Sequence, residues 1–318
     1  MSVKWTIADI PSQAGRRALI TGANSGIGYP TALTLARRGA AVMLACRDRE
    51  RGEAAVEKLR DEAPGAEITL ELVDLSSLAS VRALTERELQ RNLPLDLLIN
   101  NAGVMTPPKR LETVDGFELQ FGTNVLGHFA LTALLYPALE RAAALATSQE
   151  TRPRVVTIAS IAHKRGQLKF GDLQAKQNYS PMESYQQSKL ADLMFAFELE
   201  RRLEARSSGV ISIAAHPGVA QTNLFISGDY SAPEMLIRRA IGHLIGAALN
   251  SEAEGALPTL YAAVAPDAEP GGYYGPQGFQ ETRGGDVGPA QIAPQALDVA
   301  AAGKLWTVCE ELTGVRFL

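Results

Sequence analysis

With 318 residues, 46% of them apolar and 21% charged, the chain can bury one large α/β core or two small ones. A net charge of −4 supplies no general basic field for nucleic acid, and basic residues gather only locally, as at Arg37-Arg38 and Arg201-Arg202. Cys46 and Cys309 stand far apart with no Cys-x-x-Cys, which fits a reducing cytoplasm, and His128, His163, His216 and His243 lack metal-ligand spacing, so no metal is expected.

No stretch approaches the roughly 20 apolar residues that a membrane span needs. The longest candidate, 237–249, is interrupted by Arg238, Arg239 and His243, and residues 1–15 lack the apolar centre of a signal peptide. In chain order, 17–21 reads as a strand and leads into Thr21-Gly22-Ala23-Asn24-Ser25-Gly26-Ile27-Gly28. A helix over 27–38 follows and stops at Gly39. Pro30 falls in the first turn, where helix N–H groups have no internal partner. Strand, glycine turn and helix together form a nucleotide-binding context. Glycines admit a diphosphate to the main chain, and the helix N-terminus attracts it. Gly22 is expected to make the tight turn, Gly26 to admit the diphosphate, and Gly28 to let helix and strand pack closely. The spacing is neither Gly-x-Gly-x-x-Gly nor a phosphate loop.

Strands over 41–46, 68–74, 95–100, 154–160 and 210–216 alternate with helices over 50–62, 77–90, 117–145 and 184–206. Ser77 is the expected cap of the third helix, and Pro137 the expected kink or late break of the fourth. This alternation predicts an α/β fold, a single Rossmann-type doubly wound parallel sheet with helices on both faces. Strand C-terminal ends then share one edge, where such folds bind ligands. Beyond 217 the pattern loosens. The expectations there are a loop over 227–233, helices over 234–250 and 253–264, a short strand near 271–275, an irregular Gly/Pro-rich stretch over 281–294, and a terminal helix over 296–312. No repeat or linker divides the chain, so 1–318 reads as one domain, with a core of about 15–275 and a C-terminal extension of about 276–318.

Tyr185-Gln186-Gln187-Ser188-Lys189 places tyrosine and lysine on one helix face. A lysine one turn from a tyrosine favours the phenolate, so such a pair can give or take a proton near neutral pH. Alone, the pair fits a half-buried aromatic beside a solvated surface charge better, because a bare Tyr-x-x-x-Lys occurs often by chance.

Taken with the other motifs, the chain resembles a short-chain dehydrogenase/reductase over about residues 15–265. The resemblance rests on Thr21–Gly28, on Asn100-Asn101-Ala102-Gly103, on Ser160, on Tyr185 with Lys189, and on Pro217-Gly218, each at the expected strand end. The finer pattern is similar to the branch of retinol dehydrogenases, plant light-dependent protochlorophyllide reductases and related bacterial reductases. It includes Ala45-Cys46-Arg47-Asp48, Asn124-Val125-Leu126-Gly127-His128-Phe129, Ala159-Ser160-Ile161-Ala162-His163 and His216-Pro217-Gly218. It also includes a 25-residue step from Ser160 to Tyr185, longer than is usual in the family.

The resemblance implies Tyr185 as general acid/base and Lys189 as its partner on the nicotinamide ribose. It implies Ser160 as donor to the substrate oxygen, and Asn124 as holder of a relay water. It further implies cofactor contacts at Gly22, Asn24, Ser25, Gly26, Ile27, Gly28, Asp74, Leu75, Asn101, Ala102, Gly103, Pro217, Gly218, Val219 and Thr222. NAD-preferring members place an acid at the end of the second strand. Here Cys46 stands there with Arg47 next, which can pair with a 2′-phosphate, so NADP is expected over NAD. The alternative for Arg47 is a pairing with Asp48 or solvent.

The expected reaction is hydride transfer between NADP(H) and a small-molecule carbonyl or alcohol, with a lipophilic substrate. Pocket residues are expected from 162–181, with 164–181 forming part of the rim, and from 222–249, whose apolar residues (Leu224, Phe225, Ile226, Met235, Leu236 and Ile237 among them) fit an apolar pocket and, equally, a helix–core contact or subunit interface. Two rival readings are a catalytically silent NADP-binding regulator and a protochlorophyllide-type C=C reductase. The intact tetrad opposes the first, and the absence of cysteine between Cys46 and Cys309 opposes the second. His163 and His216 are read as structural or peripheral. Family members pair through the two long helices or the last strand and helix, so a homodimer or homotetramer is an expectation, and 277–318 is a candidate to cover one of those faces.

Overall fold

Apolar residues fill nearly every strand position, because the sheet is covered on both sides. The computed structural model describes residues 4–219, 250–284 and 286–318. Strands β1 (Arg17–Thr21), β2 (Ala41–Cys46), β3 (Ile68–Leu72), β4 (Leu97–Asn100), β5 (Arg154–Ile158), β6 (Ile211–Ala215), β7 (Tyr273–Pro276) and β8 (Val287–Pro289) form one sheet in the order β3-β2-β1-β4-β5-β6-β7-β8. All neighbouring pairs are parallel except β7–β8. The order reverses between β1 and β4, which makes their C-terminal ends the switch point where doubly wound sheets bind ligands.

Helices α1 (Gly28–Arg37), α2 (Arg49–Glu62) and α6 (Glu252–Val264) cover one face. Helices α3 (Leu78–Gln90), α4 (Gly127–Leu145), α5 (Pro181–Ala205) and α7 (Val299–Thr313) cover the other. The period-two alternation of each strand supplies both layers. Leu19, Leu98 and Val155 enter the α4–α5 core, while Ile20, Ile99 and Val156 enter the α1–α6 core. Register aligns the strand ends: Ile20 pairs with Ile99, Asn100 with Thr157, and Ile158 with Ala215. Loops that follow these strands therefore meet over one short edge.

Most predicted elements lie within a few residues of the observed ones, with three differences. The stretch 281–294, expected to be irregular, contains β8, an antiparallel edge strand of three residues. Such a strand is too short to show alternation. The helix expected from 117 begins instead after a bridge between Glu112 and Glu118, and it passes through a π-helical turn, Phe121–Leu126, before α4. Pro137 neither ends nor visibly divides α4, which runs on to Leu145. The expected loop over 227–233 and all but the last residue of the helix expected over 234–250 lie outside the described residues.

The C-terminal extension belongs to the same body. β8 extends the sheet, and α7 lies on α5. Trp306 stacks between Phe195 and Phe317, with ring centroids at 5.8 and 5.2 Å, and meets Phe129 edge-on at 5.1 Å. The Arg202 guanidinium covers the same indole at 4.4 Å. The extension therefore covers the α5 face, one of the two surfaces for which the sequence nominated it.

Candidate active site

The glycine turn leaves β1 with Gly22 and Gly26 at φ 67° and 57°, in the left-handed region that glycine tolerates. A Cβ on Gly28 would stand 2.6 Å from the Asn101 amide nitrogen and from the Gly22 carbonyl, so close packing excludes a side chain there. Helix α1 has Ile27 at its N-cap and no side-chain cap, whereas Asp48, Ser77, Ser251 and Asp298 cap α2, α3, α6 and α7. The first-turn N–H groups of α1, like those of α4 and α5, have no side-chain cap, but only those of α1 follow a glycine turn at the β1 end, where a diphosphate could accept from them.

Thr21 ties this turn to the loop after β4. Its hydroxyl accepts from the N–H groups of Asn101 and Ala102, both at 2.9 Å, and its carbonyl accepts from the Asn101 amide at 2.7 Å. The same hydroxyl lies 2.9 Å from His128 Nε2, and His128 Nδ1 lies 2.8 Å from the Asn124 carbonyl. A carbonyl only accepts, so the partners assign Nδ1–H and leave Nε2 to accept from Thr21. Burial drives the His128 pKa down to about 4, which keeps the ring neutral.

Asn124 sits in the π-helical turn, a feature frequent at functional sites. Its side chain exchanges hydrogen bonds with the Val104 backbone at 2.8 and 3.0 Å and donates to Ser188 Oγ at 3.0 Å. Ser188 in turn donates to the Tyr185 carbonyl at 2.8 Å, so α5 is locked to the loop after β4. A Cβ on Gly103 would lie 3.3 Å from Asn124 Oδ1 and 3.9 Å from Lys189 Nζ. The missing side chain therefore keeps open the approach to the lysine.

Tyr185 and Lys189 are buried on α5. Lys189 donates to the Ile158 carbonyl at 2.9 Å and to Asp192 Oδ2 at 2.8 Å. Two of its three N–H bonds are thereby used, which leaves one for a further partner. Ser160 follows β5 and caps a 3-10 turn, accepting from the Ala162 N–H at 3.2 Å. With a lone pair committed to that bond, its hydroxyl proton stays available to an acceptor at the site. His163, behind it, lies with Nδ1 2.7 Å from the Ser160 carbonyl and accepts the Ala293 N–H at Nε2, 3.3 Å away. Tyr273, which interacts electrostatically with Tyr185, packs edge-on against the His163 ring. His163, read from sequence as structural or peripheral, braces the backbone of Ser160.

The segment after β6 is held from the other side. Gly218 has φ 69°, and a Cβ there would strike the Thr282 carbonyl at 2.5 Å. Gly218 N–H donates to His216 Nδ1 at 3.1 Å, Val219 N–H to the Thr282 carbonyl at 2.7 Å, and Asn250 Nδ2 to the Pro217 carbonyl at 3.0 Å. Glu281 salt-bridges Lys164 at 2.8 Å, accepts from the Gln291 N–H at 2.6 Å and lies 3.6 Å from His216 Nε2. These partners hold its carboxyl down at about 2 against the opposing effect of burial. Both active-site loops are therefore laced to residues 277–295, a connection not foreseen from sequence.

Arg47 is exposed at the end of β2 with no side-chain partner among the described residues. The Asp48 carboxylate, the rival partner, is occupied in capping α2 through the Arg51 N–H at 3.0 Å. Asp74 accepts from the N–H and hydroxyl of Ser76, while Leu75 turns into the core. Thr222 and the expected pocket wall over 222–249 lie outside the described residues. Among the described residues, no group of His, Cys, Asp and Glu could hold a metal ion, and no helix is long and apolar enough to cross a membrane.

Residues 16–229 match the short chain dehydrogenase family. Retinol dehydrogenase 14 of Mus musculus is 39% identical over 311 residues, covering 95% of this chain and 86% of that protein. Polyprenol dehydrogenase of Mus musculus is 41% identical over 307 residues, covering 96% of this chain and 86% of that protein. Among solved structures, an uncharacterized protein from Mycobacterium Paratuberculosis superposes with a TM-score of 0.77 at 38% identity, covering 99% of this chain and 100% of that one.

Proposed function

The chain belongs to the short chain dehydrogenase family, in the retinol dehydrogenase branch, and from that premise we propose that it transfers hydride between NADP(H) and a lipophilic carbonyl or alcohol. The dinucleotide, when bound, supplies or takes the hydride. Tyr185 gives a proton to the carbonyl oxygen in reduction and removes it in oxidation. Ser160 donates its hydroxyl proton to the same oxygen and steadies the charge that develops there. Lys189 offers its remaining N–H to the nicotinamide ribose, and Asn124 holds the water that continues the proton path.

The uncapped start of α1, with Gly22, Asn24, Ser25, Gly26, Ile27 and Gly28, receives the diphosphate. Asp74, Leu75, Asn101, Ala102, Gly103 and the Pro217-Gly218-Val219 turn with Thr222 complete the cofactor surface. The observation that carries the reading is that Lys189, one turn from Tyr185 on α5, donates to the Ile158 carbonyl two residues before Ser160, whose hydroxyl accepts only the Ala162 N–H among the described residues. The names of the relatives support an alcohol or its carbonyl as substrate, since retinol and polyprenol are both alcohols.

We take the whole chain as one domain, because β8 completes the sheet and α7 covers α5. We assign it to the cytoplasm, and any homodimer or homotetramer to a face other than the one that α7 occupies. NADP preference rests on Arg47, which has no side-chain partner among the described residues. The test is initial turnover with NADPH and NADH on a panel of lipophilic aldehydes and ketones. NADPH is expected to give the higher kcat/KM, and Arg47→Ala is expected to reduce that advantage about tenfold or more, the loss of one charge-assisted phosphate contact. Equal use of the two cofactors by the unmutated protein rules NADP preference out.

A further inference from the structure

Lys189 does not sit alone in the site. Its ammonium is salt-bridged to Asp192 at 2.8 Å, one helical turn on, with the two side chains 8% and 4% exposed. Every other lysine– or arginine–carboxylate pair among the described residues has at least one partner more than a tenth exposed. A buried ion pair is a poor way to stabilise a fold, because both charges lose their water. Asp192 stands in a run that is otherwise apolar, Leu190-Ala191-Asp192-Leu193-Met194-Phe195, and hydrogen-bonds to nothing but Lys189 among the described residues. Its retention there needs a use for the charge.

We propose that Asp192 is a positioning residue: the counter-ion that keeps Lys189 protonated in a dry site and turns its remaining N–H toward the nicotinamide ribose. This rests on the reading of the site given above. Among the described residues no other carboxylate pairs with Lys189, and Tyr185, when ionised, is the one other group that favours its charge. The Ile158 carbonyl, from β5, takes one lysine N–H. His128, from α4, is neutral, and Tyr185, from α5, interacts with the ammonium. Cys309, from α7, lies beside Asp192, and burial with the nearby Asp192 and Glu310 charges drives its thiol strongly upward, so it stays uncharged. Burial opposes the charge on Lys189, and Asp192 is the first group that reverses it, leaving the lysine held above its ordinary range. Helix α7 closes the pair from solvent, which gives the C-terminal extension a part in the active site.

The test compares the full-length wild type with Asp192→Asn, which keeps the shape and removes the charge. Without Asp192, a buried amine releases its proton within reach of neutral pH. The ratio of variant to wild-type kcat for NADPH-dependent carbonyl reduction is therefore expected to fall by about tenfold or more between pH 7 and 9. It is expected to level off toward pH 6, where Lys189 is charged in both proteins and Asp192, raised to about 6 by burial against the pull of Lys189, is itself losing its charge in the wild type. Asp192→Glu is expected to keep a pH-independent ratio.

A second measurement needs no cofactor. The wild-type lysine, held above its unfolded value, keeps its stabilising contribution through pH 10. In Asp192→Asn the folded value is depressed, so the variant gains stability as pH rises. The difference in melting temperature between the two proteins is expected to shrink from pH 7 to 10. A kcat ratio and a melting gap that are both constant across pH assign Asp192 to packing alone and overturn the proposal, as does an Asp192→Glu profile that tilts like that of Asp192→Asn. If the wild type reduces no carbonyl, the functional reading has failed, and the melting comparison still decides the role of Asp192.

Discussion

Single side chains set the protonation of this site, and most of them work by being neutral. His128 joins Thr21 to Asn124 only as an uncharged ring. Its pKa is driven down to about 4 by burial, whereas an unfolded histidine titrates near 6.5. Between those values the unfolded chain binds the extra proton, so stability falls as pH drops from about 6.5 through 4. His163 and His216, also pushed down by burial, act in the same direction. Urea midpoints across this range should decline with acid, and His128→Asn should flatten the decline by about 2 to 3 kcal/mol, an order of magnitude set by the size of the shift. An unchanged slope in His128→Asn removes the histidine from the account.

Among these residues, Tyr185 and Lys189 were nominated from their spacing, and Ser160 and Asn124 through the family resemblance. Asp192 and His128 were not, although each left a trace: an acid inside an apolar helical run, and a histidine one turn after Asn124. Arg47 was legible as a charge. Its freedom was not, because that depends on Asp48 being spent as a helix cap.

At the scale of elements, the strands and helices through β6 could be read because both signals are strong there: unbroken apolar runs for strands covered on two faces, and 3.6-residue periodicity for helices. The signal fails where backbone geometry replaces periodicity. The π-helical turn that carries Asn124 has the composition of an ordinary helix, and β8 is three residues between glycines and prolines. The hairpin that contains β8 nevertheless positions the loop after β6. Gly218 accommodates it only because a side chain there would meet the Thr282 carbonyl at 2.5 Å and the backbone has φ 69°. Gly218→Ala is expected to force the 216–219 turn away from the 281–282 backbone and to weaken NADPH binding about tenfold or more, with a smaller loss in melting temperature. Fluorescence titration of NADPH measures the first effect. Wild-type affinity in Gly218→Ala would show that the turn is not fixed by this contact.

For the molecule as a whole, the C-terminal extension converts an exposed helix face into core. Trp306, 2% exposed, fills the space between Phe195, Phe129 and Phe317, and its indole N–H donates to the Phe317 carbonyl at 3.2 Å. Trp306→Ala is expected to cost about 3 to 5 kcal/mol in urea unfolding, the range for removing a large buried aromatic. By loosening α7 it should also expose apolar surface on α4 and α5 and raise the sedimentation coefficient through self-association. A variant with unchanged stability and unchanged sedimentation would mean that α7 does not seal this face in solution.

The proposed function reduces to one chemical event, a proton exchanged at Tyr185 while hydride moves beside it. The most direct test is single-turnover reduction of a lipophilic aldehyde by NADPH in wild type and Tyr185→Phe, with NADPH affinity measured in parallel. Removing only the hydroxyl should lower the rate by about 10²- to 10⁴-fold, the usual worth of a positioned acid or base, while binding stays within a few-fold. A Tyr185→Phe protein that binds NADPH and reduces the aldehyde at the wild-type rate would contradict the account.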